Sequence, residues 1–379
     1  MTATTGKVST AIVLQGGGAL GAYEYGVLTA LYEARPGFKP VAVSGISIGA
    51  ITAAVLGGNK DPISALDTLW RDKLTVEAPL PLVGLPAFID HSLAVFGNPS
   101  MYRMNGELLT APWKATSIYD TAPLRQTLSE LVDPQVLNDQ ETRVLVGATR
   151  VDTGEIEYFD SHRCGGLTYE HVAASGSLPP SFPMTKIEGR SYWDGGLFSN
   201  TPLSPAINAL EEAAKDDVGA VLELIVVELF PMKAPIPNNL LEVQERMGQL
   251  QYTSRLKLDQ HFFEEIDQFV DLMAKIDEGL KDHPEILDDP AYQRLRRHRK
   301  INHVNVVTSD LPPSCPTQRT SRTPLSRRGS KPDTTTPWRR GSAPWTRQNF
   351  VPESRAPLPR TGTWRCRWRS RPAGAKRHR

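Results

Sequence analysis

Pro40-Val41-Ala42-Val43-Ser44-Gly45-Ile46-Ser47-Ile48-Gly49 leads straight into Ala50-Ile51-Thr52-Ala53-Ala54-Val55-Leu56. The first apolar run reads as a strand and the last as a helix, with G-x-S-x-G as the tight turn between them. A serine on such a turn is pushed out of the backbone envelope. Gly45 and Gly49 let the chain reverse without Cβ clashes, and the helix N-terminus behind the serine favours negative charge. Ser47 is therefore a candidate nucleophile.

One strand earlier, Ala11-Ile12-Val13-Leu14 runs into Gln15-Gly16-Gly17-Gly18-Ala19-Leu20-Gly21, which opens a helical pattern to about Ala34. Two readings compete. Gly16-x-Gly18-x-x-Gly21 fits a dinucleotide fingerprint. That unit needs an acid at the end of the second strand to bind the ribose hydroxyls, and the second strand here ends Val43-Ser44-Gly45. The other reading is an oxyanion hole, in which consecutive glycines at a helix start turn backbone N–H groups toward a developing alkoxide. A candidate nucleophile on the next strand favours the oxyanion hole, with Gly16, Gly17, Gly18 and Gly21 as its backbone and the Ile48 N–H as a further donor.

Ser191-Tyr192-Trp193-Asp194-Gly195-Gly196 is the third element. Asp-Gly is a common turn pair, and a surface turn is the plain reading. Yet Asp194 ends an apolar stretch, and two glycines after it permit close backbone approach. A carboxylate held there can take the serine proton, which a hydroxyl nucleophile requires at neutral pH.

Together these blocks resemble the patatin-like phospholipases, lipid acyl hydrolases that work with a Ser-Asp dyad. The glycine loop matches at 16–21, the nucleophile elbow at 45–49, and the D-G-G block at 194–196 with Asn200 and Pro202 behind it. A looser match is Ala174-Ser175-Gly176-Ser177-Leu178-Pro179-Pro180-Ser181-Phe182-Pro183. Many members carry Lys or Arg where this chain has Leu20. The resemblance covers about residues 8–230 and implies Ser47 as nucleophile and Asp194 as base; no cofactor is expected, and no metal, since no His/Cys/Asp cluster has ligand spacing and the dyad supplies both nucleophile and base. The chemical alternative is a Ser-His-Asp triad, for which His261, His283, His298 or His303 could be nominated. His298 sits in the basic run 294–300 and His303 at the start of a predicted strand, both better read as ordinary histidines.

At 379 residues the chain can bury one large α/β core with an annex. Its net charge of +1 conceals two unlike parts: residues 311–379 carry 15 Arg and 2 Lys against Asp333 and Glu353, net +15, and the remainder is −14. Cys164, Cys315 and Cys366 give no disulfide framework and suit a reducing compartment. Residues 1–7 lack a basic-then-apolar leader, and no run reaches the ~20 apolar residues of a spanning helix. The expectation is a cytoplasmic protein whose membrane contact, if any, is peripheral.

Strands and helical patterns alternate to residue 230. Asp61-Pro62 starts a helix as N-cap and first residue. Residues 74–119 are Pro-, Gly- and aromatic-rich, read as a lid, an acyl-groove wall or a packed irregular insertion. Residues 143–149 and 155–159 read as a hairpin, 221–229 as a central strand, 239–280 as helical, and 303–308 as a returning strand. The expected fold is a three-layer α/β/α patatin-like sheet over 8–230, a helical annex with a return strand over 239–310, and a disordered basic tail over 311–379.

Eleven prolines and four of seven tryptophans lie in that tail. Two accounts fit it: a segment binding nucleic acid or anionic lipid through Arg and Trp, or a frameshifted reading of a GC-rich gene. The expected activity is hydrolysis of a phospholipid, lysophospholipid or glycerolipid ester. Alternatives are a polyester (hydroxyalkanoate) depolymerase and a non-catalytic lipid-binding module. No specific protein partner is inferable.

Overall fold

The computed structural model describes residues 7–75 and 98–309, apart from 140, 164, 218, 231, 254, 255 and 297, and apart from the side chains of 241, 245, 256–267 and 294. The middle of the Pro-rich insertion, 76–97, and the whole basic tail lie outside the described residues.

The strands are Val8–Leu14 (β1), Ala42–Gly45 (β2), Arg103–Met104 (β3), Tyr119–Asp120 (β4), Arg143–Arg150 (β5), Ile156–Asp160 (β6), Thr185–Ile187 (β7), Arg190–Asp194 (β8), Val221–Glu228 (β9) and His303–Thr308 (β10). Eight form one sheet in the order β10-β9-β1-β2-β5-β8-β7, with β6 also paired to β5, while β3 and β4 make a separate small ladder. The five strands from β10 to β5 are parallel, and β6, β7 and β8 add antiparallel pairs. The expected hairpin is β5–β6 and the expected return strand is β10. The strand expected at the centre, β9, is interior and paired on both sides, one place from the edge.

Period-two alternation makes the three layers. Ile12 and Leu14 of β1, Val43 of β2, and Ile225 and Val227 of β9 pack on the face covered by Ala22–Ala34 (α1) and Ile48–Gly57 (α2). Their neighbours Ala11, Val13, Ala42, Leu224 and Val226 turn to the opposite face. There they meet Leu203, Ala206 and Leu210 of a helix that runs Leu203–Ala213. All ten residues of α2 are buried, so a helix without a polar face was required behind the serine turn. The next helix, Pro62–Asp67 (α3), begins as its sequence signals: the Asp61 carboxylate accepts the Ser64 N–H at 3.3 Å and Pro62 stands at the first position. Two helices named for their use below, Tyr169–Ser175 (α4) and Leu240–Tyr252 (α6), flank Leu203–Ala213 (α5) in the chain, and Leu256–Gly279 (α7) follows them. No helix among the described residues is long and apolar enough to cross a membrane.

Two buried acids show opposite solutions to the cost of an interior charge. Glu223 of β9 accepts from Thr10 Oγ1 at 2.8 Å, from both terminal nitrogens of Arg35 at 2.6 and 2.9 Å, and from Asn305 at 2.9 Å. Burial pushes its pKa up, but the guanidinium and hydroxyl outweigh burial and hold it below the usual range. Glu24 of α1 is fully buried opposite Thr52 of α2 with no cation beside it among the described residues, and burial pushes its carboxyl well above the usual value. A raised folded-state pKa means the stabilising protonated form is fully present below the unfolded value of about 4.3 and is lost as pH rises through the folded value. Glu24→Gln therefore raises the melting temperature by several degrees at alkaline pH and by little near pH 4, roughly 2–4 °C per kcal/mol for a domain of this size. A melting series from pH 4 to 9 in which the variant gains nothing at the alkaline end contradicts this.

Candidate active site

Ser47 stands between β2 and α2 with φ 55° and ψ −120°, one of two non-glycine residues at positive φ among the described residues. Such a backbone costs on the order of 1–3 kcal/mol and persists only where its surroundings impose it. They do so through close approach. A Cβ on Gly45 would collide with the Gly49 carbonyl, and one on Gly49 would lie 2.5 Å from the Leu14 carbonyl oxygen. Hydrogen bonds from Gly49 N–H to Ile46 O (2.8 Å) and from Ala50 N–H to Ser47 O (3.0 Å) close the turn into α2. The Ser47 N–H is engaged by Ser175 Oγ of α4 at 3.0 Å.

Sheet register brings Asp194 to this serine across 147 residues of chain. β2 runs along β5 only as far as Gly45 opposite Val146. β6 occupies the other side of β5, opposite Leu145 to Thr149, so β8 enters on the side that β2 vacates and sets Asp194 opposite Ala148. β2 and β8 thus approach end to end, and the residues at their tips meet. Asp194 is anchored by its N–H to Ser177 O at 3.0 Å and by its carbonyl, which accepts from Thr149 Oγ1 at 3.0 Å. Gly195 sits where a Cβ would collide with the Gly147 carbonyl. Gly196 donates its N–H to Asp194 Oδ1 at 2.7 Å.

The carboxyl of Asp194 is buried, and burial pushes its pKa up to about 6, partly offset by the Gly196 N–H and by the nearby Ser47 hydroxyl. A carboxylate tuned this way is still ionised at neutral pH yet more basic than a surface Asp.

Gly16, Gly17, Gly18, Ser47, Leu178, Asp194, Asn200 and Tyr252 line one pocket of about 50 Å³. Gly18 takes φ 57°, with open space where a Cβ would project. The N–H groups of Gly17 and Gly18 make no hydrogen bond among the described residues. The four glycines read as oxyanion hole do not all face the pocket in the same role. The Gly16 N–H is spent on Asn200 O at 3.2 Å. Gly21 does not line the pocket; it is a packing glycine whose Cβ would stand 2.6 Å from Ile48 Cγ1.

Three polar residues brace this arrangement. Asn200 donates through Nδ2 to Gly16 O at 2.8 Å and to Tyr252 O at 3.0 Å. The buried Gln15 amide donates to Thr201 Oγ1 and Tyr252 O, both at 3.1 Å, and accepts the N–H groups of Leu229 at 2.6 Å and Phe230 at 3.2 Å. Tyr252, at the end of α6, reaches the pocket from the annex, and burial and the nearby Asp194 push its phenol up. Asn200 was legible as part of the D-G-G block, whereas Gln15 and Tyr252 were missed. A glutamine before a glycine loop carries a faint signal; a tyrosine at a helix end carries none.

No histidine lines the pocket among the described residues. His283 pairs with Glu285 at 3.0 Å, His298 with Glu211 at 3.5 Å, and His303 opens β10. His261 lies on α7, where its side chain is outside the described residues.

Fold and site together define an α/β protein with a serine on a strained strand-to-helix turn, a glycine loop beside it and a buried carboxylate against its hydroxyl. Residues 12–207 match the family described as patatin-like phospholipase, and the chain belongs to that family. A cGAMP-activated phospholipase of Pseudomonas aeruginosa (strain BWHPSA011 / Pa011) is 28% identical over 138 residues, which are 34% of this chain and 40% of that one. The chain therefore spans well under two thirds of that relative. Among solved structures, VipD from Legionella pneumophila aligns over 83% of this chain and 64% of its own at 15% identity and a TM-score of 0.34. The ExoU–SpcU complex of Pseudomonas aeruginosa aligns over 47% and 37% at 21% identity and a TM-score of 0.24.

Proposed function

We propose that the protein is a serine acyl hydrolase that cleaves carboxylic esters of phospholipids, lysophospholipids or glycerolipids through Ser47 and Asp194. The observation that carries this reading is Ser47 and the buried carboxylate of Asp194 lining one pocket together with the glycine loop. Ser47 Oγ attacks the ester carbonyl carbon as Asp194 takes its proton. The carbonyl oxygen becomes an alkoxide facing the N–H groups of Gly17 and Gly18, with Ile48 N–H at the start of α2 as a further donor. Collapse of the tetrahedral centre breaks the bond to the alcohol, which leaves with the proton from Asp194. Water then loses a proton to Asp194, attacks the acyl-enzyme and releases the fatty acid, and Ser47 regains its hydrogen. A non-catalytic module has no use for a serine kept at positive φ against a carboxylate with raised pKa, so turnover is the better reading. The same residues would serve a polyester, and a panel of substrates separates the two.

The test is the pH dependence of kcat/KM on a soluble short-chain ester, which reports the ionisation of the free enzyme. Asp194 acts in its ionised form, so the rate is expected to rise about tenfold per unit below its pKa and to level off above about pH 6. Absence of ester hydrolysis at every pH, or a profile still climbing through pH 8, counts against the assignment.

A further inference from the structure

Helix α6 turns four apolar residues outward. Leu240, Val243, Met247 and Leu250 follow one another at three- and four-residue steps and are 74, 48, 64 and 53% exposed. Gln249 is buried instead, and Arg246 reaches back over the protein to Met232 O and Gln249. A surface helix ordinarily does the reverse, and four large apolar side chains in a row on one helix are not the scatter expected of a soluble surface.

This ridge ends at the catalytic pocket. Tyr252, its last residue, lines the pocket and is tied through its carbonyl to Asn200 and Gln15. Two further segments, one between the pocket-lining Asp194 and Asn200 and one bonded to the loop of Leu178, also hold an apolar residue outward. The turn after Asp194 holds up Phe198, 62% exposed. Trp113 is 78% exposed on a stretch bonded to the loop that carries Leu178, through Ile118 N–H to Pro180 O and Tyr119 N–H to Ser181 O. Lys114, next to Trp113 in the chain, and Lys233 are exposed.

We infer that these three apolar rims form a docking surface for a phospholipid bilayer, which seats the mouth of the Ser47 pocket against the headgroup layer. The inference deepens the reading of the chain as a lipid acyl hydrolase and rests on it for the choice of occupant. A protein partner, or a second copy of this chain, seated on all three rims would cap the opening through which substrate must enter; a bilayer delivers the substrate through it.

Binding is tested on the full chain carrying Ser47→Ala, so that hydrolysis does not consume the vesicles. Sucrose-loaded phosphatidylcholine vesicles are sedimented in about 0.5 M salt, which screens the attraction of the +15 tail to any charged surface. Adding Val243→Glu with Met247→Glu is expected to lower the partition coefficient at least tenfold, and adding Trp113→Ser alone several-fold. With Ser47 intact, the Val243/Met247 variant should keep its short-chain ester activity within about twofold and lose at least tenfold on vesicles, a split that misfolding cannot produce. Unchanged vesicle binding in both variants overturns the inference. So does a wild-type dimer, seen by sedimentation velocity, that the Val243/Met247 variant converts to monomer while vesicle binding persists, since the face would then belong to a second copy. Failure of the wild type to hydrolyse any ester sinks the proposed function instead, and the Ser47→Ala sedimentation still decides the docking.

Discussion

Ser47→Ala is expected to lower ester hydrolysis by roughly 10³-fold or more, on soluble and vesicular substrates alike. The reason is specific to position 47. The hydroxyl removed is the one that shares the pocket with Asp194, and Ala keeps the strained turn that Gly45 and Gly49 impose. What remains in the variant is the glycine loop, which can still polarise a carbonyl but offers it no nucleophile. The fold should be untouched, because only a pocket-lining oxygen is lost. Activity within tenfold of wild type would mean that water, and not Ser47, attacks the ester.

Asp194→Asn should fall to nearly the same residual activity, since serine and base act as a unit. Asn can still accept the Gly196 N–H, so the turn is retained while the proton acceptor is gone. Stability should move the other way. The folded-state pKa of about 6 lies above the unfolded value of about 3.9, so this group stabilises the fold below the unfolded value and loses that contribution as pH rises through 6. Above pH 6 the buried ionised carboxylate costs on the order of 2–3 kcal/mol, and Asp194→Asn should melt higher there and no higher at pH 4. A dead but stabilised protein is the signature of a functional group kept at the expense of the fold. Substituting His261, His283, His298 or His303 one at a time should leave most activity; a histidine as damaging as Asp194→Asn would replace the dyad with a triad.

Much of this site could be read directly from the chain because its chemistry is local. The elbow at 45–49, the glycine loop and the D-G-G block are each short, and each depends on backbone geometry that only particular residues tolerate. Asp61-Pro62 and the β5–β6 hairpin were legible for the same reason. What could not be read is how distant segments meet. The entry of β8 on the side of β5 that β2 leaves free is a matter of sheet register, with no residue pattern to announce it. That Gly16 spends its N–H on Asn200, and that Gly21 exists for contact with Ile48, are likewise consequences of packing. Tyr252 enters the pocket from the annex because Gln15 and Asn200 hold its carbonyl, and neither bond leaves a trace in spacing. The outward apolar ridge of α6 has the same three- and four-residue period as a buried one, so periodicity marked the helix but not the direction of its apolar face.

The most direct test of the central claim is covalent. A fluorophosphonate accepts attack at phosphorus by an activated serine, with loss of fluoride, and reports nucleophilicity without requiring knowledge of the substrate. Intact protein should gain one adduct, peptide mass spectrometry should place it on Ser47, and both Ser47→Ala and Asp194→Asn should remain unlabelled over the same time. An adduct on another serine, or labelling of the Asp194→Asn variant at the wild-type rate, would contradict the account.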